Sequence, residues 1–197
     1  MTAGSGGPAG VKMDAQAQAG AGVVAQAGAP GADASAANAA NAALATGRWY
    51  FEDFYPGQEI DLGERTVSHA EILAFAREFD PQSFHVDVEA ARASPYGGLI
   101  ASGWHTCSMM MRMVVDGLLG ASAGMGSPGL DGVRWLQPVR AGDTLRVRYR
   151  TRAVKASTTR PDRGVVWSTW IATNQHGVEV CTIDGMSMFG RRPVTQE

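Results

Sequence analysis

The sequence predicts an α+β domain in which a mainly antiparallel sheet curls around one long, apolar helix. Three observations predict this fold class. Residues 68–80 have the capping signal and periodicity of an amphipathic helix, residues 103–119 are apolar on nearly every helical face, and four strand-like segments lie between residues 130 and 189. Because the helices come first and a run of strands follows, the pattern favours α+β over an alternating α/β arrangement.

The first 47 residues differ in composition from the rest of the chain. They contain no aromatic residue and only three charged ones, Lys12, Asp14 and Asp33, among repeated Ala and Gly. Such a segment cannot bury enough apolar surface to offset its ordering entropy. We therefore predict a disordered tail over residues 1–47 and one domain over residues 48–197, a length that suits a single domain.

Composition and charge exclude several classes of protein. Lys and Arg number 17 against 19 Asp and Glu, so the net charge of -2 does not favour a nucleic-acid partner. No run of about 18 apolar residues is long enough to span a bilayer, and residues 1–20 do not read as a signal peptide. The two cysteines lack metal-site spacing, which indicates core packing in a reducing compartment. We expect a cytoplasmic protein with no nucleic-acid or membrane partner.

The first helix has clear signals at both ends. A short strand is expected over residues 59–67, after which Ser68 and Glu71 have the spacing of a capping box. Pro81 biases Asp80 away from helical geometry, so the helix is expected to end near Asp80. Its apolar face is formed by Ile72, Phe75, Ala76 and Phe79.

The remaining elements follow from turn signals and residue type. A helical turn is expected over residues 87–93, a loop over 94–98, and a buried helix from Gly103 to Leu119 in which Met109, Met110, Met113 and Val114 lie in the core. Strands rich in Val, Thr, Ile, Trp and Tyr are expected over residues 130–137, 144–155, 164–174 and 178–189.

Two apparent motifs carry little weight. Residues 124–129 match GxGxxG, but a strand follows where a dinucleotide site requires a helix, so a loop is expected. No pair of histidines has the spacing of a metal site, and we expect neither a metal nor an organic cofactor. His69 and His176 are expected in solvent, and His105 is expected to be a hydrogen-bonded structural histidine.

The segment from Asp80 to His85 is the main candidate for chemistry. A carboxylate at the end of a helix and an imidazole five residues later are joined by a turn that begins with proline. Such a turn can direct both side chains towards one water molecule, as general acid–base catalysis requires. The negative pole at the helix C-terminus is expected to make the Asp80 carboxylate a better base.

Gly103 is the second candidate, because it opens the long helix. Its backbone N–H would be one of the unpaired donors of the first turn, suited to negative charge developing on a thioester oxygen. The alternative is that glycine is required there only for close packing.

Three stretches together resemble the MaoC-like dehydratases, relatives of the (R)-specific enoyl-CoA hydratases with the hot dog fold: residues 80–85, 96–103 and 137–145. The resemblance covers about residues 48–190. Asp80 and His85 match the family pattern D-x-N-P-x-H, in which Gln82 and Ser83 replace Asn and Pro. Ser102 replaces His in the pattern I-A-H-G. The resemblance implies that Asp80, His85 and Gly103 are catalytic, that Gln82 and Ser102 bind substrate, and that the protein is a homodimer.

The expected function is reversible hydration of a trans-2-enoyl-CoA, or a related acyl thioester, to the (R)-3-hydroxyacyl-CoA. This would place the protein in fatty acid metabolism with an acyl-CoA substrate. Two alternatives stay open: a hot dog acyl-CoA thioesterase, and a non-catalytic acyl-binding or scaffold dimer.

Overall fold

The computed structural model describes residues 48–193. The tail predicted over residues 1–47 lies outside the described residues. The first elements are a 3₁₀ turn at Phe51–Asp53 and strand β1 at Glu59–Thr66. The helices are α1 at His69–Phe79, α2 at Ser83–Val86, α3 at Val88–Ala93 and α4 at Gly103–Gly117, followed by a 3₁₀ turn at Leu119–Ala121. The remaining strands are β2 at Leu130–Trp135, β3 at Thr144–Ala156, β4 at Arg163–Thr173 and β5 at Glu179–Gly190. Each predicted strand is present, and its ends differ from the prediction by no more than about two residues.

The five strands form one sheet in the order β1-β3-β4-β5-β2, with every neighbouring pair antiparallel. The edges are therefore β1 and β2. Helix α4 contacts β1, β3 and β5, so it crosses the sheet rather than following one strand. This confirms the predicted α+β fold, with an antiparallel sheet curled around a central helix.

Helix α1 begins at the predicted capping box. The Ser68 hydroxyl accepts the Glu71 N–H at 3.1 Å, and the Glu71 carboxylate accepts the Ser68 N–H at 3.0 Å. The predicted apolar face is only partly correct, because Phe79 is 64 % exposed. Phe79 is the outermost ring of a stack in which Phe75 lies between it and His105, at centroid distances of 5.0 Å and 4.9 Å.

His105 is buried, but it does not form the hydrogen bond that the sequence predicts. Its Nδ1 has no hydrogen-bond partner among the described residues, and the ring instead stacks on Phe75. Burial lowers the pKa of His105 because the charged imidazolium is poorly solvated there. The expectation of a hydrogen-bonded histidine is wrong, since an aromatic face rather than a polar group covers this ring.

Helix α4 buries the predicted methionines but leaves one apolar stripe exposed. Met109, Met110 and Val114 are 3 %, 0 % and 0 % exposed. By contrast, Trp104 and Met111, which lie seven residues apart on one face of the same helix, are 57 % and 44 % exposed. The helix is thus covered on most sides rather than all, because the single sheet curls only part of the way around it.

The loop predicted over residues 124–129 is present, and β2 rather than a helix follows it. No helix begins there to bind a pyrophosphate, so the GxGxxG match is a coincidence of composition. The described helices include none with the length and apolarity needed to cross a membrane. His69 and His176 are exposed, as predicted.

Candidate active site

A cavity of about 510 Å³, here called the Asp80 cavity, lies where α1 ends and α4 begins. It is bounded on the other side by the segment that leaves β2. The lining residues are Asp80, Gln82, Phe84, His85, Tyr96, Ile100, Ala101, Gly103, Trp104, Thr106, residues 135–139 and Val180. The structure therefore brings together the three catalytic residues that the sequence predicts.

The backbone fixes the orientation of the His85 ring. His85 is only 4 % exposed, and its Nδ1 lies 2.9 Å from the Ile100 carbonyl oxygen. Because a carbonyl oxygen can only accept, Nδ1 carries the proton and Nε2 presents a lone pair. The ring also lies edge-on to Phe84, with centroids 4.5 Å apart. The imidazole thus has its basic nitrogen directed at Asp80.

Asp80 is the C-cap of α1, and its carboxylate receives two hydrogen bonds. The Ser102 hydroxyl donates to Oδ2 at 2.6 Å, and the Gln82 amide donates to Oδ1 at 2.8 Å. These two bonds, that from Ser102 foremost, lower the pKa of Asp80. The expectation that the helix C-terminus makes this carboxylate a better base is wrong, because direct donors outweigh the helix dipole.

Gln82 and Ser102 both contact Asp80, which their predicted role in substrate binding does not include. Both side chains are bonded to Asp80. Ser102 is fully buried, and as the N-cap of α4 it also accepts the Trp104 N–H at 3.2 Å. In this structure the two residues orient the carboxylate, and Ser102 ties it to the start of α4.

Gly103 is the first residue of α4, and its N–H makes no hydrogen bond to any other described residue. A Cβ at this position would lie 2.5 Å from Cε2 of the Trp135 ring, far inside van der Waals contact. The packing explanation for the glycine is therefore supported directly. Gly103 also lines the Asp80 cavity, and as the first residue of α4 it contributes an unpaired backbone donor there.

Sequence reasoning missed Trp135, which lines this cavity, and Arg140, which lies just outside its lining. Trp135, at the end of β2, covers Gly103 and lies edge-on to Trp104, with centroids 5.4 Å apart at 80°. Arg140 donates to the carbonyl oxygens of Tyr96 and Leu99 and so fixes the loop that carries Tyr96. The only signal for Arg140 was its place within residues 137–145, and Trp135 had none, because its contact with Gly103 joins distant parts of the chain.

A second cavity of about 580 Å³, here called the Met111 cavity, lies along the exposed stripe of α4. Cys107 lines it and is half-buried, whereas Cys181 is fully buried. The prediction that both cysteines pack in the core is thus correct for Cys181 and only partly correct for Cys107. The neighbouring Cys181 thiol holds the pKa of Cys107 below its usual range.

Comparison with known proteins identifies the family of this chain. The model of the MaoC like domain matches residues 53–168, more than half of the chain. The chain belongs to the MaoC-like domain family. The MaoC-like dehydratase from Rhodospirillum rubrum, whose crystal structure is known, shares 40 % sequence identity with this MaoC-like protein. The two structures superpose with a TM-score of 0.67 over 74 % of this chain and 99 % of that one.

Two further similarities support the fold. A Mycobacterium tuberculosis protein described as having a double hotdogfold shares 18 % identity and a TM-score of 0.65 over 76 % of this chain and 46 % of its own. The fold of this MaoC-like protein is the hot dog fold. Protein MaoC of Klebsiella aerogenes is 29 % identical over 123 residues, which are 61 % of this chain but only 36 % of the Klebsiella protein.

Proposed function

We propose that this MaoC-like protein is a hydro-lyase that reversibly adds water to a trans-2-enoyl-CoA, or a related acyl thioester, giving the (R)-3-hydroxyacyl-CoA. One observation carries the proposal: His85 Nε2 and Asp80 Oδ2 lie 3.4 Å apart in the Asp80 cavity. Family membership and 40 % identity to a MaoC-like dehydratase support the reaction class. The (R) configuration is inferred from the resemblance alone.

The two atoms suit one water molecule. Nε2 and Oδ2 are both acceptors in the neutral-imidazole state, so a water that donates one O–H to each satisfies both. That water has its oxygen lone pairs free for attack on C3 of the enoyl group. The geometry therefore supports a positioned nucleophile rather than a direct hydrogen bond between the two side chains.

The proton balance then follows from the protonation states. As the water oxygen bonds to C3, its proton passes to Nε2, because the pKa of Asp80 is lowered and its carboxylate is the weaker base. The imidazolium formed is stabilised by the Asp80 carboxylate beside it. It returns the proton to C2, so that one water is added and no group is oxidised or reduced. The proposal needs no metal or organic cofactor.

Gly103 completes the proposed site. When C3 is attacked, negative charge moves to the thioester oxygen, and the unpaired Gly103 N–H at the positive end of α4 can stabilise it. Gln82 and Ser102 support the reaction indirectly by holding Asp80, and Gln82, which lines the cavity, also borders the substrate.

We also propose that the protein is a homodimer whose subunits meet at β2. Edge strand β1 has four charged residues among its eight, a feature that discourages pairing with another strand. Edge strand β2 and the residue after it expose Leu130, Trp135 and Leu136, at 52 %, 49 % and 44 %. A second copy that extends the sheet at this edge would cover them.

A single set of assays separates the candidate functions. Purified protein is incubated with a series of enoyl-CoAs, and loss of the conjugated double bond is followed together with release of free CoA thiol. Hydration without thiol release is expected. Thiol release would favour the thioesterase alternative, and tight binding of acyl-CoA without either reaction would favour the acyl-binding or scaffold alternative. A positive result would also support a place in fatty acid metabolism.

A further inference from the structure

Trp104 is the only described residue that lines both the Asp80 cavity and the Met111 cavity. It follows Gly103 directly on α4, and its ring meets the ring of Trp135, which packs over Gly103. The indole is 57 % exposed, which is unusual for so large an aromatic group beside a cavity. One bulky side chain thus stands between two spaces of similar size.

The two cavities differ in what they can hold. The Asp80 cavity combines the Asp80, Gln82 and His85 polar groups with a limited apolar wall. The Met111 cavity is lined mainly by large apolar side chains, among them Met111, Leu130, Trp170, Ile183 and Met186. An apolar space of about 580 Å³ is within the size range of sites that bind small apolar ligands.

Helix α4 runs from the Asp80 cavity to the Met111 cavity. Cys107, Ser108 and Met111 follow Trp104 on one helical face and line the Met111 cavity. Met111 lies about 12 Å along the helix axis from Gly103 at the usual rise per residue. A chain whose thioester oxygen sits at Gly103 would therefore reach the Met111 cavity by running along α4, past the Trp104 indole.

Trp135 limits the movement of that indole. Its ring is packed on the Cα of Gly103 and meets Trp104 edge-on. Such edge-to-face pairs stabilise one relative orientation of the rings. Trp104 is consequently supported on the Gly103 side, in the position that separates the two cavities.

We propose that Trp104 determines specificity by closing the Asp80 cavity to long acyl chains, so that the substrate is a short-chain acyl thioester. This inference rests on the proposed function, since it assumes that the thioester binds at Gly103. Removal of the indole joins the two cavities and admits a chain long enough to reach Met111.

The test compares wild type with Trp104→Ala and Trp104→Phe on crotonyl-CoA, octenoyl-CoA and dodecenoyl-CoA. For Trp104→Ala we expect the ratio of kcat/KM for dodecenoyl-CoA to that for crotonyl-CoA to rise at least about tenfold, since even one methylene in an apolar pocket changes specificity by that order. Trp104→Phe should give a smaller rise. Tyr55→Ala, which removes another exposed aromatic side chain that lines neither cavity, should leave the ratio unchanged.

Binding of saturated butyryl-CoA and lauroyl-CoA, measured by calorimetry, gives a readout that does not require turnover. A lauroyl-CoA affinity that rises selectively in Trp104→Ala supports the proposal even if no enoyl-CoA is hydrated, in which case only the hydratase assignment fails. Equal changes for short and long chains in a variant with the wild-type melting temperature would overturn the proposal. So would wild-type protein that prefers dodecenoyl-CoA or lauroyl-CoA.

Discussion

At the scale of single residues, the proposed chemistry depends on two acceptor atoms that face the same point. His85 Nε2 and Asp80 Oδ2 are 3.4 Å apart, and each is fixed by a separate hydrogen bond from the chain around it. The Ile100 carbonyl selects the tautomer of His85, and the Ser102 hydroxyl anchors the carboxylate. Neither side chain needs to reorganise when a water molecule enters.

Removal of either acceptor should abolish most of the reaction. Asp80→Asn and His85→Ala should each lower hydration of crotonyl-CoA by at least about a hundredfold, the lower range for loss of a positioned acid or base. The double variant should be little worse than either single one, because the two groups act on one water. Hydration rates of all three variants measure this effect, and thermal melts show whether each variant is folded.

Two substitutions serve as matched controls for that experiment. His69→Ala and Asp116→Asn alter an exposed imidazole and an exposed carboxylate that line neither cavity. Both should retain wild-type rates. Near-wild-type turnover in a folded Asp80→Asn or His85→Ala variant would show that the acid–base assignment is wrong.

Ser102→Ala should shift the pH dependence of the reaction. The Ser102 hydroxyl is the main cause of the lowered pKa of Asp80. The carboxylate therefore stays ionised at pH values below the ordinary pKa of an aspartate. Without that hydroxyl the pKa of Asp80 rises, protonation of this carboxylate begins at higher pH, and the part of the acidic limb that reports Asp80 should move to higher pH. A pH–kcat/KM profile checks this.

We also expect kcat/KM of Ser102→Ala to fall about tenfold or more near neutral pH, because a hydrogen bond to a charged group is lost. Ser157→Ala, in the loop between β3 and β4, is the control. A role for Ser102 only in packing would lower the melting temperature but leave the acidic limb in place.

At the scale of elements, α4 and β2 meet where the site is built. The first residue of α4 packs against the last residue of β2, and Ser102 joins the same helix to the end of α1. Three elements thus converge on the Asp80 cavity, and their relative positions determine whether the water site forms.

Gly103→Ala should disturb this junction. The added methyl group would lie 2.5 Å from the Trp135 ring, so the ring or the helix must move. We expect a loss of about 1 to 3 kcal/mol in the free energy of unfolding, as for other overpacked sites, together with lower activity. Denaturant melts measure the stability.

The double variant Gly103→Ala with Trp135→Ala distinguishes the cause. If the clash with the indole is responsible, Gly103→Ala should cost little stability when the double variant is compared with Trp135→Ala alone. Were Gly103→Ala instead to cost as much in that background as in wild type, the backbone conformation of residue 103 would have to explain the loss, because alanine has the higher helical propensity.

At the scale of the whole molecule, the exposed edge of β2 predicts association. The protein should behave as a dimer at micromolar concentration in light scattering, because Leu130, Trp135 and Leu136 present an apolar edge. Leu130→Lys should weaken the dimer, whereas Glu64→Lys on the opposite edge should not. A stable monomer would contradict the proposed interface.

Deletion of residues 1–45 should change neither the melting temperature nor the hydration rate appreciably. The prediction follows from composition, since this segment has no aromatic side chains and few branched apolar ones to bury. Differential scanning calorimetry of the full and shortened chains tests it. A melting temperature lower by many degrees in the shortened chain would show that the segment contributes to the folded domain.

The sequence by itself determined the features that depend on neighbouring residues. Ser68 and Glu71 are close enough in the chain to form the capping box, Pro81 ends α1 locally, and alternation along the strands sets which side chains face the core. The proximity of Asp80 and His85 was predictable for the same reason, because a short turn joins them.

Tertiary structure decided the features that join distant residues. The Ser102 hydroxyl reaches Asp80 across 22 positions of the sequence and reverses the expected direction of its pKa shift. Trp135 reaches Gly103 from the far end of β2, and the curl of the sheet leaves Trp104 exposed. Local periodicity carries no information about such contacts, because the packing of α4 on the sheet brings these side chains together only when the whole domain folds.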